Sequence, residues 1–297
     1  MANSITGIND DIISMSTLEA FTAAIAPLNA FTTNFSPDAV KRGDKVSILR
    51  TIAADAALTK TAHTAYTIQD ADSDAVEISL GQPVYVSWAL DDTEIASSSV
   101  LNMEVYGQQK GFQLAKKVLQ DILGTITNAN FSTAAFVGAA STFDADDVAD
   151  IKGVCDTANM PIFPRSLVVD TTYYTALLKD VAIQNSNAFG GSEAIREGRI
   201  PNLMGFDLYQ STLIPGNSEN LTGFATHPSG LAVAMRYLAP QDGNTYLTAS
   251  PLTDPSGITI GLRDWYDNDS GIRKRLFECV YGYVTGIAGG IKRITSA

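Results

Sequence analysis

The sequence predicts an α+β fold, with β-structure at two places around one long helix. Three observations carry this. Valine and isoleucine alternate with polar residues between 45 and 92, and again after 251. An apolar stripe at helical spacing runs through the second half of Ser97–Asn128. Between 143 and 250, short apolar runs alternate with helix signals. A chain of 297 residues with 45% hydrophobic residues can bury a sizeable core in one or two domains. The pattern divides the chain into five segments: 1–44, 45–92, 93–142, 143–250 and 251–297.

Residues 1–44 read as an arm. Ser16 and Glu19 have capping-box spacing, and Leu18, Phe21, Ile25 and Leu28 follow at helical intervals. Pro27 limits that helix to a few turns, too short to be stable without docking on its own chain or a neighbour. In 45–92, Val46 and Ile48 alternate, as do Val76, Ile78 and Leu80 and then Val84, Val86 and Trp88. Gly81-Gln82-Pro83 splits the second run in two. The polar stretch Ala53–Asp74 between them reads as the large tip of a β-hairpin, the alternative being an ordinary meander. Ser97–Ser99 offer N-caps to the strongest helix, whose stripe is Ala115, Val118, Leu119, Ile122, Leu123 and Ile126. Continuous, it would be ~45 Å long. Gly107 and Gly111 mark a bend or a close contact in its first half.

In 143–250 a helix carries Val148, Ile151 and Cys155 and ends before Pro161. Leu167-Val168-Val169 is a buried strand, and Asp170 can cap the next helix, with Tyr173, Tyr174, Leu177 and Leu178. Phe206–Ser211, Phe224–His227 and Leu231–Tyr237 are further strands. After 251, Ile258–Trp265 and Ile272–Thr285 form a long hairpin, and Ile291 and Ile294 mark a last strand.

Charged residues are only 18% of the chain, below the ~25% of an average soluble protein, and the net charge is -12. An acidic chain is a poor phosphate binder, because affinity for nucleic acid comes from clustered Lys and Arg. The main basic cluster, Arg273-Lys274-Arg275, reads as a solvated strand face. Two cysteines, Cys155 and Cys279, make no disulfide framework and read as small buried hydrophobes, although one bridge between them stays open. No signal peptide and no apolar run of ~18 residues is present.

Catalytic patterns are missing. His63 and His227 lack metal-ligand companions at short spacing. No Gly-x-Ser-x-Gly elbow, phosphate loop or dinucleotide turn occurs. Asp144, Asp146, Asp147 and Asp150 form a carboxylate cluster without the EF-hand pattern, better explained as an acidic first helical turn. No catalytic, cofactor-binding or metal site is therefore assigned.

The order of arm, long hairpin, long helix, α/β core and closing hairpin resembles the Hong Kong 97-like fold of tailed-bacteriophage major capsid proteins. Three stretches carry the resemblance. Arg165–Tyr174 is similar to the family's strand-to-helix step. Glu197–Ser211, with Gly205-Phe206-Asp207-Leu208-Tyr209, is similar to its Gly-Phe-x-Val/Leu-Tyr strand. Gly257–Asp267 is similar to the start of its closing hairpin. The resemblance implies an N-arm (1–44), an E-loop (45–92), a spine helix with the first part of a P-domain (93–142), an A-domain (143–250) and the rest of the P-domain (251–297). It implies a non-enzymatic shell protein that self-assembles, as hexamers and pentamers, into an icosahedral head around a double-stranded DNA genome. The protein would be made in the host bacterial cytoplasm and end in the virion.

The same resemblance sets expectations for single residues. Lys60, His63 and Tyr66 at the E-loop tip would contact an adjacent subunit, Leu18, Phe21 and Ile25 of the arm another. Asn185, Asn187 and Phe189 would lie near the capsomer centre. No charged helical segment precedes the arm, which implies a separate scaffolding protein besides a portal. DNA would be enclosed without sequence-specific binding, and no membrane is involved. Some family members form a Lys–Asn crosslink. Lys60 lies where such a lysine would be, but it reads as an ordinary surface lysine. The rivals are an encapsulin-type nanocompartment shell and, from another class, a cytosolic hydrolase with a carboxylate site.

Overall fold

The computed structural model describes residues 6–51, 58–63, 65–66, 73–91, 103–184, 198–200, 202–239 and 248–297. The first part of the chain forms α1 (Thr6–Ala24), a 3-10 turn (Ala26–Ala30), β1 (Thr32–Val40), β2 (Lys45–Thr51), β3 (Ser73–Ser79), β4 (Gln82–Asp91) and α2 (Met103–Leu123). The middle of the chain adds α3 (Asn128–Phe131), β5 (Phe136–Val137), α4 (Ala145–Thr157), β6 (Ser166–Val169), α5 (Thr171–Lys179), α6 (Val181–Gln184), β7 (Asn202–Leu203), β8 (Phe206–Gln210) and β9 (Leu221–Thr226). The chain closes with β10 (Leu231–Leu238), β11 (Thr248–Thr253), β12 (Thr259–Asp267), β13 (Ile272–Thr285) and β14 (Ile291–Thr295).

Two six-stranded sheets organise the molecule. The first runs β1-β10-β13-β12-β11, with β4 on the opposite edge of β13. The second runs β5-β14-β9-β6-β8-β7, and β2–β3 pair by themselves. The sheets do not follow the sequence segments. β10, in 143–250, joins the first sheet between β1 and β13, whereas β14, in 251–297, returns to the second sheet between β5 and β9.

Period-2 side-chain alternation decides which core each strand feeds. On β6, Val168 faces one core, while Leu167 and Val169 face another. On β14, Ile291 and Ile294 divide the same way. The first core lies under α1 and α2, with Phe21, Leu119 and Ile122 packed near Phe224, Phe277 and Tyr281. The second lies under α4 and α5, with Ile151, Cys155, Tyr173 and Phe206. A third, small one seats the base of the β2–β3 hairpin, where Ile78 and Leu80 meet Ala234 and Val280. That seating needs a glycine: a Cβ on Gly282 of β13 would stand 2.2 Å from the Ser79 carbonyl.

Several local expectations change. Ser16 and Glu19 do not start a helix, because α1 begins at Thr6 and they lie in its second half. α2 runs unbroken through Gly107 but ends at Leu123 rather than Asn128, the expected caps Ser97–Ser99 lie outside the described residues, and Gly111 is a close-contact glycine: its Cβ would lie 2.3 Å from the Thr17 carbonyl. Asp170 occupies the N-cap of α5, but its carboxylate accepts from the Thr172 hydroxyl rather than from the helix backbone. Cys155 and Cys279 are free and buried in different cores, which excludes the bridge. Burial pushes the Cys155 thiol up to about 11, far from a reactive thiolate.

The two sheets meet at His227, between β9 and β10. Its Nδ1 accepts from the Ser229 N–H (3.2 Å), which places the ring proton on Nε2. Partial burial lowers its pKa below the usual 6.5, and the nearby Arg165 acts the same way. A histidine held neutral stabilises the fold fully above its unfolded value of ~6.5 and loses that contribution as pH falls through the folded value. Thermal unfolding at pH 8, 7, 6 and 5 is therefore expected to show a pH-6 decline that His227→Gln removes. An identical decline in the variant would acquit the histidine.

Candidate assembly surfaces

The hairpin base is ordered by its own register. In the backbone register Val46 pairs with Ile78 and residue 48 with Val76, and an exposed Lys45–Glu77 ion pair clips the same end. Beyond the strands, Lys60, His63 and Tyr66 are all exposed, Tyr66 by 77%. The Lys60 ammonium lies 3.5 Å from the Tyr66 ring centroid, a cation–π contact that uses the lysine locally. His63 takes a left-handed backbone (φ 64°) in the turn between them. The tip thus presents a cation, an aromatic ring and the exposed Leu58 to whatever lies beside it.

The arm residues are placed otherwise. Leu18, Phe21 and Ile25 are buried in the first core of their own chain, with Leu28. This corrects the expectation that these three side chains meet a neighbour: the apolar face of α1 is already covered by α2 and sheet one. Asn185, Asn187 and Phe189 lie outside the described residues.

The basic run on β13 is not a solvated face. Arg273 and Arg275 both bond to Asp264 on β12, at 2.7 and 2.8 Å, and Lys274 reaches Asp267 at 2.8 Å. Asp264 and Arg275 are nearly fully buried. Burial by itself would raise the Asp264 pKa, but the hydrogen bonds from Arg273 and then Arg275 outweigh it and hold the carboxyl below its usual range. Beside them Arg263 pairs with Glu278 across the same two strands. Matched side chains on antiparallel neighbours explain the ladder, and they leave its cations committed to carboxylates. Sequence reading missed this because the partners lie on another strand, though Arg263-Asp264 opposite Glu278 and Arg273–Arg275 was the available signal.

The carboxylate cluster is a helix cap. Asp144 accepts from the N–H groups of Asp146 (3.0 Å) and Asp147 (3.1 Å), and Asp147 closes a capping box by accepting from the Asp144 N–H. Among the described residues no three His, Cys, Asp or Glu side chains converge as a metal site. No helix among them is long and apolar enough to cross a membrane.

No family model and no curated protein sequence matches the chain. Solved structures do. The capsid of cyanophage P-SCSP1u matches with a TM-score of 0.60 at 13% identity, over 90% of this chain and 86% of that one. The mature capsid of bacteriophage PhiM1 matches with 0.59 at 14% identity, over 90% and 86%. A virus-like particle from Pyrococcus furiosus matches with 0.55 at 13% identity, over 96% and 98%. These likenesses give the chain the fold of phage capsid subunits.

Proposed function

We propose that this chain is the major capsid protein of a tailed phage. Its copies self-assemble into an icosahedral head that encloses double-stranded DNA. The observation that carries the reading is the near full-length match to phage capsid subunits. The role is structural: subunits place unlike patches against one another, and closure of such heterologous contacts makes rings and then a shell. In Hong Kong 97-like terms, the β2–β3 hairpin within residues 45–92 is the E-loop, α2 belongs to the spine helix, the second sheet belongs to the A-domain and the first, β4 included, to the P-domain. Lys60, His63 and Tyr66 lie over an adjacent subunit, and the loop with Asn185, Asn187 and Phe189 faces the capsomer centre. Hexamers and pentamers form with a separate scaffolding protein and a portal, and the acidic chain encloses DNA without reading its sequence.

Purified chain, alone and co-expressed with neighbouring genes, is expected to give closed particles on the order of tens of nanometres across by negative-stain microscopy and sedimentation, since each weak contact is multiplied over many. A monomer or small oligomer under every condition would remove the reading. The Pyrococcus furiosus match keeps an encapsulin-type compartment as the second reading. Particles that hold nuclease-protected DNA favour the phage head, and particles filled with protein favour the compartment.

A further inference from the structure

Phe163 and Ile162 are the two most exposed large apolar side chains among the described residues, at 82% and 78%. They are not on a loose loop. Asn159 turns the chain out of α4 with a left-handed backbone (φ 55°), and prolines at 161 and 164 stiffen the tip on either side of the pair. Arg165, only 2% exposed, reaches back beneath the tip. Its Nε donates to the Pro161 carbonyl (2.8 Å), its Nη2 to the Met160 carbonyl (2.5 Å), and its Nη1 lies 2.6 Å from Asp156. Behind the tip, the His227 Nδ1 accepts from the Ser229 N–H (3.2 Å), and the Ser229 carbonyl accepts from the Ile287 N–H (3.0 Å). A buried guanidinium thus braces the backbone that carries two bare apolar side chains out in water.

We infer that the Ile162–Phe163 tip docks on a second copy of this chain as one of the repeated contacts of the assembled shell. The inference rests on the shell reading above. Two observations choose this occupant. The tip offers on the order of 300 Å² of apolar surface, well short of the ~800 Å² per partner that holds a separate protein by itself. Such a small patch is effective when every subunit is held at many places at once. Charge selects in the same direction. Copies carrying -12 each repel, yet no charged residue occurs from Thr157 to Pro164, and the flanking Asp156 and Arg165 neutralise one another. The tip is a place where like-charged copies can touch without opposing carboxylates. Its rigidity lowers the ordering cost of each contact.

The test uses the full chain co-expressed with its neighbouring genes. With Phe163→p-benzoylphenylalanine, irradiated particles are expected to yield a covalent dimer of the chain with itself. Crosslinks only to a different protein or to nucleic acid, or none in intact particles, would overturn the inference. Separately, Ile162→Ser with Phe163→Ser is expected to lower particle yield at least tenfold while the soluble subunit keeps its circular dichroism and melting temperature, because both side chains are exposed. Undiminished particle yield from that variant overturns this inference alone. A wild-type chain that forms no shells overturns the shell reading and the inference together.

Discussion

Asp264→Asn is expected to destabilise the soluble subunit by about 3–5 kcal/mol, the usual cost of removing one partner from a buried ion pair. Asp264 is 3% exposed and serves two guanidiniums, and Arg275 beside it is 5% exposed. Asparagine keeps the shape and removes the charge, so two cations then share a site without their carboxylate. Arg275 also lies 5.9 Å from the Trp88 ring of β4, which ties the pair to a third strand. Urea unfolding should show a lower midpoint with an unchanged slope. A loss under ~1 kcal/mol would mean that the ladder contributes no more than exposed ion pairs do. The pH dependence has a definite sign. The carboxyl is depressed in the folded state, so its contribution is present above the unfolded value of ~3.9 and is lost as pH falls through the folded one. The wild-type chain should therefore lose, on acidification below about pH 4, a contribution that the variant never had.

Gly111→Ala should reverse the ordinary effect of its own substitution. Inside a helix alanine is usually better than glycine by about 1 kcal/mol. At Gly111 the added methyl would stand 2.3 Å from the Thr17 backbone carbonyl, and a carbonyl inside α1 can retreat only if the helix moves. Overpacking of that kind costs about 1–3 kcal/mol. Because the crossing brings Leu18 and Phe21 onto the first core, the variant should also expose α1 to limited proteolysis. Gly153→Ala in α4 is the matched control, as nothing lies within 4 Å of a Cβ there and the change should stabilise. Stabilisation at both positions would show that α1 and α2 do not meet this closely.

Legibility in the sequence followed locality. Ile272–Thr285 was readable to the residue, because the turn at Asp267–Gly271 and the glycine at 286 bound a run rich in β-branched and aromatic residues. The β2–β3 register was readable from Val46, Ile48, Val76 and Ile78, and the split at Gly81 from Pro83. The strand β1 was not. Thr32–Val40 contains Pro37 and Asp38 and shows no alternation, and it is a strand because it lies parallel to β10 with a register shift between Phe35 and Ala39. The true start of α1 was hidden by Ser16 and Glu19, whose cap-like spacing is overridden by packing on α2. Of the surface residues, the Lys60–Tyr66 tip was legible from its polar setting. The Ile162–Phe163 tip was not, since apolar residues in a short run read as core until the fold shows their exposure.

The return of β14 to the second sheet has a consequence for the timing of synthesis. Residues 291–295 lie between β5 and β9, so that sheet is completed by its last-made strand. From the making of β9 until residue 291 emerges, β9 can pair with β6 on one side while its other edge stays open. Pairing of segments so distant is slow compared with helix formation. A product that terminates before residue 291 cannot cover that edge of β9 or supply Ile291 and Ile294 to the two cores. Only chains translated through β14 close both cores, so the strand order itself separates finished from truncated products.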